Sequence, residues 1–548
     1  MSLLWSSPLG PAGLLLSGGV LLLILQRQLS ARLRQGLPVL VILIGMAAWL
    51  LLRWQAPGAG QWWAWQAPLG LETGLGLQWD GQAWLAGWLL FFAALAAVLL
   101  PGWRDRPGFT PIAFWIPFLL ASGLLVITAA TWSALLSAWA MMLLCVGLLA
   151  GTPQINAARA WTYLLLSGIF LLAVPLFNGA DSVLITLHTE TLNIQAQLLF
   201  LLAIAILMAI YPFHLWLTPK EKRGQGAQLA LHLLPALAAF HLLSRFPLPL
   251  LGSISWVALG IAGLLGSAIA AWTARDGDDA WIYILINRVT WAMLSFSLSR
   301  DVGGYRAALP LTATALSLTI WTLTIALNKK QHAISGHTRT HWLRLVALVF
   351  LLGLPLTPGF SLNIHVGQLA TTVVGFPGWM LVLLAQTLLV AAILRPTFWT
   401  SPEETAQDLL PAGRLAWMLA LAIAFGLWWG MFPASLARTA GMMPRGLYAS
   451  ALAQIRTAGL ATGWMTLLLP LLLGWLLARS RERIFADLNA WQKRIADTAS
   501  LGWLDSLLSA GFHYLASAFG FTADILDGAG QFGWVLLVLL IFWLLLRK

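Results

Sequence analysis

Residues 194–217 read IQAQLLFLLAIAILMAIYPFHLWL. From Leu198 to Ile210 the run is apolar and uncharged, as a helix through hydrocarbon requires. Then Pro212 intervenes, and proline removes a backbone donor and crowds the preceding turn. A helix broken inside a membrane leaves backbone groups without partners. Such a break is tolerated only within protein or beside a hydrated cavity. His214 and Trp216 follow it at once. The stretch therefore specifies one broken helix inside a larger membrane bundle.

The rest of the chain agrees. Of 548 residues, 60% are hydrophobic and 9% charged, and the mean hydropathy is +0.83. Soluble domains carry roughly a quarter charged residues, so a soluble fold of this size could not cover its surface. The apolar runs are long and continuous rather than ten-residue alternations, which selects helices over a barrel. The net charge of +12 resides mostly between the runs, at 27–34, 104–106, 220–223, 329–330 and 479–483. That distribution anchors membrane loops and argues against a nucleic-acid partner. One cysteine, Cys145, forms neither an internal disulfide nor a metal site. Many of the 32 tryptophans, Trp62, Trp63, Trp65, Trp272, Trp281 and Trp399 among them, lie near run ends as interfacial anchors do. The first run, near Pro11, reads as a retained span rather than a cleaved export signal.

Runs long enough to span begin near residues 11, 37, 82, 111, 129, 158, 195, 227, 251, 282, 308, 342, 376, 411 and 459, with a last at 532–547. The expected fold is all-α: a polytopic transmembrane bundle of about 14–16 spans, with two discontinuous helices and a C-terminal amphipathic surface helix. Five regions follow: N-terminal spans and a loop (1–74), a core (75–430), a further span region (431–477), an amphipathic segment (478–530) and a final span (531–548). The Gly- and Trp-rich stretch 71–84 suggests a short hairpin outside the membrane. Walker A loops, dinucleotide fingerprints and zinc-binding helix motifs are absent, and no residue argues for a cofactor or a metal.

Two further segments accompany Pro212, Phe213, His214 and Trp216. Residues 276–293 read DGDDAWIYILINRVTWAM, and 348–360 read LVFLLGLPLTPGF, with Pro355, Pro358 and Gly359 breaking a second apolar run. Together with Gly76-Leu77-Gln78-Trp79-Asp80-Gly81, they resemble in order and spacing the antiporter-like subunits of respiratory complex I, multisubunit sodium/proton antiporters and membrane-bound hydrogenases. The resemblance covers roughly residues 75–430. The amphipathic segment and last span resemble, in shorter form, the lateral arm of that family's longest members.

The resemblance implies a proton path through buried ionisable stations: a glutamate on the fifth helix, lysines on the broken seventh and on the eighth, and a lysine or glutamate on the broken twelfth. Carried over residue by residue, these fall on Ala140, Leu207, Ala236 and the vicinity of Leu362 or Asn363. The family's Lys-Arg after Asp276 becomes Asp278-Asp279, its following histidine becomes Arg288, and its Pro-Asp becomes Thr218-Pro219. The stations are thus apolar or neutral.

The ionisable groups left within the spans are His214, His232, His241, Arg288 and His365. Histidine titrates near neutrality, so a rerouted relay through His214, His232 and His365 is one reading. Packed histidines in a bundle core are the other. His232 and His241, nine residues apart, fall on opposite helix faces. Arg288 is costly to bury and needs a partner, either Asp276 or the backbone carbonyls of a broken helix, unless it snorkels to an interface.

The expected function is an antiporter-like subunit of a larger multi-pass complex in the inner cell membrane, structural or docking in role, with other membrane subunits and the lipid bilayer as partners. The alternatives are an active proton- or sodium-translocating subunit using histidines, or the membrane half of an inorganic-carbon uptake system. The chain is not expected to be an enzyme alone. An oxidoreductase label of the NADH-quinone type would belong to its complex.

Overall fold

The computed structural model describes residues 7–54, 58–66, 72–100, 112–150, 156–178, 187, 191–217, 225–246, 248–274, 277–298, 307–335, 341–395, 412–443, 461–487, 489–504 and scattered positions from 506 to 517. Asp276, Thr218, Pro219 and the expected final span at 532–547 fall outside these residues.

The described chain is a helix bundle with one hairpin. Helices α1 (Leu9–Leu25) and α2 (Ala31–Leu51) precede strands β1 (Gly58–Gln66) and β2 (Glu72–Trp79). Then come α3 (Gly81–Leu99), α4 (Ile116–Thr128), α5 (Trp132–Ala150), α6 (Asn156–Asn178) and α7 (Ile194–Leu207). The middle of the chain gives α8 (Gln225–Leu243), α9 (Ile254–Thr273), α10 (Gly277–Leu298) and α11 (Ala308–Ser335). It continues with α12 (His341–Leu351), α13 (Pro358–Val373), α14 (Gly375–Ile393), α15 (Ala412–Met431) and the short α16 (Pro433–Thr439). The last two described helices are α17 (Ala461–Asp487) and α18 (Asn489–Ala499). Among the described residues, eleven helices are long and apolar enough to cross a membrane, and four shorter apolar helices join them. The protein is a multi-pass membrane protein.

The hairpin corrects one expectation. It is not formed within 71–84: β2 is its second arm, and the first comes from upstream, pairing antiparallel from Gly58 with Trp79 to Gln66 with Glu72. The stretch after β2 instead starts α3, whose first turn is capped by the Asp80 carboxylate on the Ala83 N–H (2.8 Å). Trp281 is buried in the core, where it serves packing.

Helices α8, α10 and α11 are buried on every side across their spans. Their sequences are predominantly apolar, and the polar residues they carry are buried rather than gathered on a solvent-facing stripe. Around them stand α2, α6, α15 and α17, mostly outward-facing. On α6 the outward stripe is Leu165, Ile169, Leu172 and Leu176, a helical spacing that fits lipid. The amphipathic segment also takes shape. Helix α17 runs unbroken through residue 478, where charges begin, and α18 packs against α9.

Candidate functional site

The first break follows Leu207. Ala209 takes a left-handed φ of 50°, and a single 3₁₀ segment, Phe213–Leu217, replaces further α-helix. Breaking α7 frees carbonyls at its end. Trp216 meets one of them, donating Nε1–H to the Ile206 oxygen at 2.7 Å. The break fits against α9 because two residues there lack side chains. A Cβ at Gly263 would lie 2.7 Å from the Tyr211 oxygen, and one at Gly266 would overlap the Tyr211 ring.

His214 is fully buried at this break. Its imidazole stacks on Tyr211 (centroids 4.9 Å apart) and meets the edge of Tyr283 on α10 (5.6 Å). His232, on α8, is also fully buried and lies within electrostatic reach of His214, as does Arg159 on α6. The Pro212 and Leu285 carbonyls lie beside His214 and His232 respectively, short of full hydrogen-bond geometry. All four ring nitrogens lack hydrogen-bond partners among the described residues.

His241 belongs elsewhere. Its Nε2 accepts from Arg245 Nε (3.1 Å), and Arg245 grips Asp80 with both terminal nitrogens, at 2.5 and 2.6 Å. Burial pushes the Asp80 carboxyl up. The Arg245 hydrogen bonds and charge, the Ala83 N–H and His241 outweigh that and hold it down to about 2. This cluster ties the start of α3 to the end of α8. No local signal announces it in the sequence, because Asp80 and Arg245 are 165 positions apart.

The second break separates α12 from α13 and has a legible cause. In a continuous helix each carbonyl accepts from the N–H four residues on. Pro355 withholds that donor from Leu351, and Pro358 withholds it from Leu354. Both orphans are recovered. Arg288 on α10 donates to the Leu351 oxygen (3.1 Å), and Thr357 donates to Leu354 through Oγ1 (2.8 Å) and its N–H (3.2 Å). Asn363 closes the remainder, donating Nδ2–H to Leu352 (2.6 Å) and Gly353 (3.3 Å). Gly353 at φ 63° and Gly359 pack backbone to backbone, so a Cβ on Gly359 would sit 2.8 Å from the Gly353 Cα.

For Arg288 the structure shows one of the expected partners, a broken-helix carbonyl, that of Leu351. The guanidinium also donates to Gln386 Oε1 (2.6 Å) and Asn287 Oδ1 (3.2 Å) and lies 5.8 Å from the centre of the Trp291 ring. Asn287 in turn donates to the Leu264 oxygen and Ser267 Oγ, each at 3.0 Å. His365 lies half-buried on α13, two residues beyond Asn363.

The positions matched to the family's stations scatter. Ala140 is exposed on the outer face of α5, beside buried Trp139. Leu207 is buried where α7 stops. Ala236, buried on α8, lines a cavity of about 10 Å³ with Met208, Leu233, Val289, Leu311 and Thr314. That space is close to the minimum for a single water, and the walls are almost wholly apolar. Met208, the residue after Leu207, places this space at the end of α7, and Leu233 and Val289 are the chain neighbours of His232 and Arg288. The structure thus sets His214 within electrostatic reach of His232, brings Arg288 and Asn363 to carbonyls of the same break, and sets His241 apart.

No family model matches the chain, and no curated protein does. Solved structures resemble it. A chain of the Mrp complex from Dietzia sp. DQ12-45-1b superposes with a TM-score of 0.71 at 17% identity, over 97% of this chain and 61% of that one. The protein therefore spans about three-fifths of that relative's length. A chain of respiratory complex I from Thermus thermophilus, solved with bound Aureothin, gives 0.58 at 21% identity, over 77% of this chain and 97% of that one. A chain of the membrane-bound sulfane sulfur reductase, an archaeal respiratory membrane complex, gives 0.59 at 16% identity, over 83% and 100%. At such identities the likeness is one of fold. The protein has the polytopic helical fold of membrane chains in these complexes.

Proposed function

We propose that this protein is an antiporter-like subunit of a multisubunit complex in the inner cell membrane, and that it supports or docks other membrane subunits without conducting protons itself. A proton crossing a membrane interior needs titratable stations joined by water. The observation that carries the proposal is the apolar cavity at Ala236, where the resemblance leads one to expect a lysine. The second break agrees with it. Asn363 and Arg288 are spent on backbone carbonyls there, which gives them a structural employment. Any oxidoreductase chemistry would then belong to partner subunits.

A histidine-based conductor is the second reading, favoured by one observation: the four unpartnered ring nitrogens of His214 and His232. Proton flux in proteoliposomes separates the two. The purified chain, alone and within its complex, is given an imposed potential and a pH-sensitive dye. The first reading expects no flux above empty vesicles in either preparation. Flux that falls in His214→Ala, His232→Ala or His365→Ala would overturn it and establish the relay.

A further inference from the structure

Helix α9 ends with the carbonyls of Trp272, Thr273 and Ala274, which no further helical turn can satisfy. Side chains from three other elements close them. Arg395, just past α14, donates to Ala274 (2.7 Å) and to Trp272. Arg481 of α17 donates to the same Ala274 oxygen (3.4 Å), and Gln492 of α18 donates to Thr273 (3.1 Å). Two guanidinium groups thus converge on one oxygen. Burial and the Arg481 charge push Arg395 down to about 9, and its Nε has no hydrogen-bond partner among the described residues.

The surroundings add positive charge. Arg479, Arg483, Lys493 and Arg494 are exposed. The sequence of residues 478–500 holds five cations, these four and Arg481, and three acidic residues, Glu482, Asp487 and Asp497. Helix α17 is apolar through Leu477 and basic from Arg479, so it leaves the hydrocarbon at this level. Exposed Trp475 and Trp491 carry Arg479 and Arg494 over their rings at 5.7 and 6.0 Å. Aromatic rings paired with cations are typical of headgroup depth. Helix α18 turns Gln492 and Ala499 inward and Trp491, Lys493 and Arg494 outward.

We infer that the face built by the end of α17 and the outer side of α18 binds the phosphates of anionic phospholipids. Opposite charge there relieves the crowding of Arg395 and Arg481, and the two tryptophans seat the helix at the bilayer boundary. Lipid binding at this face is independent of proton conduction.

The test uses the full-length protein in phosphatidylcholine mixed micelles, titrated with phosphatidylglycerol while thermal unfolding is followed. Each cation near an anionic surface is worth about a fivefold preference. The triple variant Arg479→Gln, Arg483→Gln, Arg494→Gln should need on the order of a hundredfold more phosphatidylglycerol for the same rise in Tm. Lysine at the same three positions should keep the response, as should Lys329→Gln with Lys330→Gln. Raising ionic strength should weaken the wild-type response. Should the glutamine variant fail to fold, the lysine variant and the salt series decide the matter. Equal Tm in the two lipids, or a full response from the glutamine variant, would overturn the inference. So would inorganic phosphate reproducing the shift, since the face would then recognise a free anion rather than a lipid.

Discussion

Replacing Asn363 by Ala should unseat the second break at a cost that can be worked from its bonds. The amide Nδ2 serves the Leu352 and Gly353 oxygens at 2.6 and 3.3 Å in a buried setting. The shorter bond is a full hydrogen bond and the longer a marginal one. Interhelical hydrogen bonds in membranes average only about 0.6 kcal/mol, because the unfolded, membrane-inserted chain finds substitute partners. Here substitution is poor. The natural donor for the Leu352 oxygen in an unbroken helix is the Leu356 N–H, and Leu356 is held at φ 73° between Pro355 and Pro358. A buried carbonyl stranded this way costs about 1–3 kcal/mol. Asn363→Ala should therefore destabilise by about 2 kcal/mol, read as the shift in tryptophan-detected unfolding across rising SDS mole fraction in mixed micelles. Asn363→Asp sharpens the case. A buried carboxylate facing two carbonyls is repelled when ionised, and its protonated form restores a donor. The variant should then grow more stable as pH falls. A cost below about 0.5 kcal/mol for Asn363→Ala would refute the view that this amide closes the break.

Other perturbations test separate parts of the fold. The Asp80 carboxyl, held down to about 2 against an ordinary value near 4, should contribute stability that is complete above pH 4 and lost as pH falls toward 2. That contribution is about 2 kcal/mol, and Asp80→Asn should abolish the pH dependence over this window in equilibrium unfolding. Gly266→Ala drives a methyl group into the Tyr211 ring and should cost about 1–3 kcal/mol or prevent accumulation of folded protein, whereas Gly13→Ala, with open space around it, should be silent. Tyr211→Phe removes the 3.1 Å bond to the Ala499 oxygen. It should speed amide exchange in α18 while changing global stability by about 1 kcal/mol or less, a contrast that hydrogen-exchange mass spectrometry reads directly.

Much of the architecture was open to reading in one dimension. Hydropathy runs identify the spans because the bilayer demands about 20 apolar residues for each crossing and pairs no backbone group itself. The two breaks are equally local, since Pro212, Pro355 and Pro358 remove specific donors whatever surrounds them. The first arm of the hairpin is not legible in the sequence, because it is Gly- and Trp-rich without the alternation that marks a strand.

What the sequence by itself determined, then, is a bundle of membrane helices with two breaks. The tertiary structure decided what meets what. It brought His214 within electrostatic reach of His232, 18 positions away, while giving His241, only nine positions from His232, to Arg245 and Asp80. It assigned Arg288 to the carbonyl that Pro355 orphans 63 positions later. The physical reason is that proline leaves an acceptor unsatisfied through local chemistry alone, whereas the donor that answers it is chosen by how helices pack.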